Sequence, residues 1–98
     1  MLHKIPLQAI PNQKFSIQIN NQEITISLAT RHKQQLYATV SVNGEKIVDN
    51  RLCLNIQPLI SVDYLPIKGN LFFIDMEGQD DPHYSGLGTR FILIYSEL

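Results

Sequence analysis

Tryptophan is absent from this chain, and cysteine occurs once, at position 53. A single thiol closes no internal disulfide, so packing and hydrogen bonds have to hold the fold, and the lone cysteine fits a reducing compartment. Within Leu52-Cys53-Leu54 it reads as a small buried hydrophobe, with no basic neighbour in sequence to make it a nucleophile. Charge is scarce as well. Lys, Arg, Asp and Glu make up 17% of the residues, against about a quarter in an ordinary globular domain. The formal net charge is −1, and Lys and Arg are scattered with no cluster of more than two, which speaks against the basic stripe of a nucleic-acid binder. So little charge leaves room for surface hidden in an oligomer or larger assembly. Also missing is any apolar run long enough to cross a bilayer. The opening segment is broken by Pro6 and Pro11 and reads as neither signal peptide nor membrane span, so the expected location is the cytoplasm or an assembly built without secretion.

What is present is a β pattern. Ninety-eight residues predict one domain, 1–98, that buries roughly 60–65% of the surface its unfolded chain exposes. In Phe15-Ser16-Ile17-Gln18-Ile19 and Ile24-Thr25-Ile26-Ser27-Leu28 apolar and polar residues alternate, and the connection between them contains Asn20-Asn21, a hairpin signal. Leu36 to Val42 alternates with Leu36, Ala38, Val40 and Val42 in phase and Tyr37 opposite. Asn43-Gly44 then supplies the positive φ that a type I′ turn demands. The return strand is expected over Lys46 to Val48, resuming at Arg51 to Ile56. Pro6 confines the opening segment, 1–12, to an extended arm or edge strand. Arg90-Phe-Ile-Leu-Ile-Tyr95 is apolar on both faces and predicts a central strand covered on each side. Leu71 to Ile74 predicts another two-faced strand after a turn at Lys68-Gly69-Asn70. The expected architecture is all-β, a small antiparallel barrel or sandwich of about seven or eight short strands with little or no helix.

Two stretches break the rhythm. From Pro58 to Pro66, Leu59, Ile60, Val62, Tyr64 and Leu65 show no period, which predicts a helical turn or irregular crossover whose apolar side chains either fold back on the core or form a contact surface. Residues 77–88 form a polar loop of functional length, with Asp75, Glu77, Asp80, Asp81 and His83 gathered in or beside it. Their spacing does not fit a calcium-binding loop, and neither metal nor other cofactor is expected. An acid–base pair of His83 with Asp80 or Asp81 would still need a nucleophile and a pocket, so no catalytic residue is assigned. The loop instead marks Asp80, Asp81 and His83 as the contact points of an alternative, a small ligand-binding β-domain. Ser85-Gly86-Leu87-Gly88 lacks the lysine and following helix of a phosphate loop.

The order of short motifs resembles a known family. Ile5-Pro-Leu-Gln-Ala-Ile-Pro-Asn-Gln13 with Phe15-Ser16-Ile17, the Asn43-Gly44 hairpin, Leu71 to Asp75, Asp81-Pro82, Leu87-Gly88, Arg90 and Leu93-Ile94-Tyr95 are similar to small phage proteins known as baseplate plugs of contractile tails. Many relatives place a tryptophan in the third strand, where this sequence has Tyr37. The resemblance implies a non-enzymatic structural protein of a phage or prophage virion, present in several copies at the tail baseplate after assembly in the host cytoplasm, and packed against hub or tube proteins. It transfers no catalytic residue. Combined with the Pro-punctuated opening and the aperiodic segment, it predicts contact residues at Ile5, Pro6, Leu7, Ile10, Pro11, Leu59, Ile60, Tyr64 and Leu65.

Overall fold

Alternation decides which way each strand faces. The computed structural model describes residues 2–19, 21–31, 35–59 and 69–97. Seven strands appear there in chain order: β1 (Leu2–Ile5), β2 (Asn12–Ile19), β3 (Gln22–Thr30), β4 (Leu36–Val42), β5 (Glu45–Leu52), β6 (Gly69–Asp75) and β7 (Phe91–Glu97). Apart from one 3-10 turn at Tyr84–Gly86, no helix is found among the described residues.

β2 to β5 form an antiparallel meander, and β1, β7 and β6 form a second antiparallel sheet in that order. Ile24, Ile26 and Leu28 of β3 face Val42, Val40 and Ala38 of β4, and all six are buried. Their alternate residues Thr25, Ser27, Thr39 and Ser41 make the outer face polar. Asn43 and Gly44 both take positive φ, 51° and 85°, as the hairpin between β4 and β5 requires. β5 is continuous to Leu52 but slips register twice against β4.

β7 is central in its sheet, paired with β1 on one side and β6 on the other. Phe91, Leu93 and Tyr95 point into the core with Ile5, Leu71 and Phe73. Of the opposite face, Ile92 is buried and Ile94 half-buried. The two sheets face each other across this core as a sandwich. Among the described residues no strand pairing joins them into a closed barrel. A side-chain bond does cross: Gln22 Nε2 on β3 donates to the Tyr95 hydroxyl on β7 at 3.1 Å, with both residues buried.

The opening segment is an edge strand that ends at Pro6. Ile5 is buried, and the following crossover is pinned by Gln13, whose side-chain amide accepts from Gln8 N and donates to Gln8 O. Gly69 and Asn70, expected in a turn, belong to β6 and pair with Glu97 and Ser96. The glycine is there for close approach, since a Cβ at position 69 would lie 2.8 Å from Tyr95 Cζ. Of the expected irregular segment, 60–66 lies outside the described residues. Pro58 is exposed and Leu59 buried.

Tyr95→Phe keeps the ring and removes the inter-sheet hydrogen bond. It should destabilise the protein by about 1 kcal/mol, measured as a lower midpoint in urea unfolding with an unchanged slope.

Candidate functional site

The long connection between β6 and β7 is organised by one carboxylate. Strand alternation places Asp75 on the same face of β6 as Leu71 and Phe73, at the end of the core, with its side chain fully buried. A buried charge is tolerated only when paired and hydrogen-bonded. Asp75 Oδ1 accepts from Arg90 Nε at 2.8 Å and from Glu77 N at 2.9 Å. Oδ2 accepts from Arg90 Nη2 at 2.8 Å and from Asp80 N at 2.9 Å. The fork-to-fork geometry is the strongest that arginine and carboxylate make. Arg90 Nη2 also donates to Asp80 Oδ2 at 2.7 Å, and the guanidinium carbon stands 4.9 Å from the centre of the Phe91 ring. Below this knot Met76 N donates to Arg90 O at 2.8 Å, closing the base of the loop.

A second tie runs from the loop to the segment after β5. Asn55 N donates to Asp81 Oδ1 at 2.9 Å, and Asn55 Oδ1 accepts from Asp75 N at 3.1 Å. Pro82 and Leu87 are buried, so the stretch expected to be polar is anchored by two apolar residues as well. Ile56, next in line, holds a left-handed backbone (φ 63°) with 61% of its surface exposed. Its N–H donates to Phe73 O at 2.8 Å.

The residues singled out in the loop have structural partners. Asp80 engages Arg90, and Asp81 engages the Asn55 amide. His83 caps the 3-10 turn, its Nδ1 accepting from Ser85 N at 3.2 Å and lying 2.8 Å from Ser85 Oγ, with its ring stacked on Tyr84. A cleft of about 160 Å3 between Leu36, Cys53, Asp81, Pro82 and His83 is well short of the roughly 300–1,000 Å3 of a small-molecule pocket. Among the described residues no cluster of His, Cys, Asp and Glu has the arrangement of a metal site. Cys53 beside the cleft is buried, and desolvation pushes its thiol up to about 12, so the nucleophilic thiolate is not formed at neutral pH. A wider, shallow trough of about 440 Å3 crosses the outer face of the four-stranded sheet, floored by Thr25, Ser27, Thr39 and Ser41 and flanked by Lys14 and Lys46.

Of the predicted contact residues, Ile5 and Leu59 fill the chain's own core, and Leu7 is half-buried against it. Pro6, Ile10 and Pro11 are exposed. Ile60, Tyr64 and Leu65 lie outside the described residues. Sequence reading missed Leu2, Leu54, Ile56 and Met76, which are exposed by 65%, 37%, 61% and 64%. Only their positions beside strand ends hinted at this. It also missed the Asp75–Arg90 pair, whose members stand 15 residues apart.

The Arg90 guanidinium hydrogen-bonded to Asp75 holds that carboxyl well below the usual carboxylate range, although burial pushes the other way, and the Glu77 and Asp80 amides add to the lowering. Because the folded value is depressed, the stability it contributes is complete above the unfolded value of about 4 and is lost as pH falls from there. Asp75→Asn should therefore lower the melting temperature at neutral pH and flatten its decline in acid, measured by circular dichroism from about pH 7 to about pH 2. Cys53 should resist an aromatic disulfide reagent in the native protein at pH 8 and react at once when the chain is unfolded in denaturant. Rapid modification of the native protein would contradict the buried, protonated thiol.

Comparison with known proteins gives one family match. The family model described as cyanophage baseplate Pam3 plug gp18 matches residues 2–98. No curated protein matches the chain.

Proposed function

The chain belongs to the cyanophage baseplate plug family, and from that premise we propose that it is a non-enzymatic structural component of a contractile-tail baseplate, acting by protein–protein assembly. The observation that carries this reading is the family match over nearly the whole chain, residues 2–98. In this reading the protein resides in the virion tail, whether phage or prophage, after assembly in the host cytoplasm. It contacts hub and tube proteins and associates with further copies of itself.

The surface is consistent with such a role. Apolar side chains stand exposed at Leu2 and Ile10 near the opening edge strand, and at Leu54, Ile56 and Met76 around the β6 end of the long loop. Pro6, between the first two, and Pro11, just after them, are exposed as well. Asp75, Asp80 and Asp81 of the loop are engaged by Arg90 and the Asn55 amide, although Asp80 and Asp81 remain exposed, which suits a braced surface better than a receptor for a ligand. Contact through the 1–12 segment would use Pro6, Ile10 and Pro11, since Ile5 is committed to the core. Removal of the whole segment would strip β1 from β7, so single substitutions are the cleaner probe.

Co-expression with the hub and tube proteins of the same tail should yield a complex that co-elutes in gel filtration. Leu2→Asp with Ile10→Asp should weaken that complex by at least about tenfold, the equivalent of one lost apolar contact, with the melting temperature unchanged. Separate elution of the wild-type chain from every tail protein of its genome would overturn the proposal.

A further inference from the structure

Each sheet of the sandwich leaves two strand edges, and three of the four are defended. The outer edge of β6 is occupied: Phe73 O accepts from Ile56 N and Leu71 O from Leu59 N, both at 2.8 Å. β5 slips register twice and exposes Glu45, Lys46, Asp49 and Arg51, devices that discourage strand addition. β1 is only four residues long. β2 is different. Its eight residues keep an unbroken register with β3 from Asn12↔Ala29 to Ile19↔Gln22, and Lys14 is its one charge. It carries no bulge and no proline, and among the described residues no strand lies on its outer side.

The hydrogen-bond phase shows which of its groups face outward. Thr30 N donates to Pro11 O at 3.0 Å, one step before the Asn12↔Ala29 pair. Antiparallel bonding alternates by pairs, so Gln13, Phe15, Ile17 and Ile19 bond β3. The bond from Asn43 N to Glu23 O on the other flank of β3 gives the same phase. Lys14, Ser16 and Gln18 therefore turn their backbone N–H and C=O away from the sheet. On the inner face Phe15, Ile17 and Ile19 pack on the core yet stay only half-buried, and among the described residues no strand lies beside them.

We propose that this edge is an interface between two copies of the chain, with β2 pairing antiparallel to β2 of the second copy about a two-fold axis at Ser16. That register is self-complementary. Ser16 bonds Ser16, and Lys14 and Gln18 bond Gln18 and Lys14 of the other copy. Phe15 then lies opposite Ile17 on the inner face, continuing the apolar rows Phe15–Ile26–Val40 and Ile17–Ile24–Val42 across the axis. Lysine meets an amide instead of another lysine, so no like charges oppose each other. The contact is isologous and closes on itself, and it joins two four-stranded sheets into one continuous sheet. It gives a location to the self-association within the baseplate reading and rests on that reading for its setting alone.

Light scattering after gel filtration of the isolated chain should give twice the 11.2 kDa of one chain. Ser16→Pro removes an outward N–H and leaves the β2–β3 ladder untouched, so it should yield a monomer with native circular dichroism. Position 18 is exposed and tests the register, but it also lies opposite Glu23 of β3, so each variant is first checked for native circular dichroism and an intact melting transition at a concentration where the chain is monomeric. Gln18→Lys sets lysine against Lys14 of the second copy and should raise the dimer dissociation constant about tenfold, while Gln18→Glu should lower it by about the same factor, two symmetry-related pairs acting together. A chain that is monomeric at the highest soluble concentration overturns the pairing, as does a dimer indifferent to all three substitutions. A monomeric wild-type chain that still co-elutes with tail proteins refutes this interface and leaves the baseplate reading standing. A dimer sensitive to position 18 that binds no tail protein supports the interface and refutes that reading.

Discussion

The Asp75 carboxylate is where the fold and its longest loop are tied together. Strand alternation puts it on the core side of β6, where an unpaired charge would be excluded. Its four acceptor positions are filled by two nitrogens of Arg90 and two backbone amides. One side chain thereby fixes where β6 ends, where β7 begins and how the intervening residues turn. Arg90 is not replaceable by lysine in this role, because a single ammonium cannot match both oxygens in plane. The tie extends through Asn55 and Asp81 to the segment that covers the outer edge of β6, so the pair also helps defend that edge.

Much of the β framework was legible in the sequence because β structure writes itself with a period of two. The phases of β2, β3 and β4 follow directly from their alternation, and Asn43-Gly44 announces its turn because both residues tolerate the positive φ it requires. The two-faced apolar run at 91–95 signals a strand with neighbours on both sides, which β7 has. Closure was not legible. Whether sheets join into a barrel depends on pairings between distant edges, and a single chain carries no local mark of them.

The loop was harder still, because composition hides commitment. Asp75, Glu77, Asp80, Asp81 and His83 look like available ligands or acid–base groups when read as a list. In space Asp75 and Asp80 are spent on Arg90, Asp81 on a backbone amide, and His83 on a helical turn. Gly69 misleads in the same way: glycine commonly marks a turn, and here, as the first residue of β6, it makes room for the Ser96 carbonyl and the Tyr95 ring. Ile5 and Leu59 look like contact residues because prolines punctuate their neighbourhoods, yet each has found a place in the core. A residue's partner three strands away decides such cases, and sequence spacing does not reveal it.

The position of β7 between β1 and β6 also sets a timetable. The β2–β5 meander is built from neighbours in sequence, so it can close hairpin by hairpin as the chain is made, with little loop entropy to overcome at each step. The other sheet has no such route. Among the described residues β1 pairs with β7 alone, Leu2 opposite Ser96, while β6 has β7 on one side and the Asn55–Leu59 segment on the other. The meander can therefore form from local pairings alone, whereas the sheet that covers it is complete only when β7 has joined β1 across the length of the described chain.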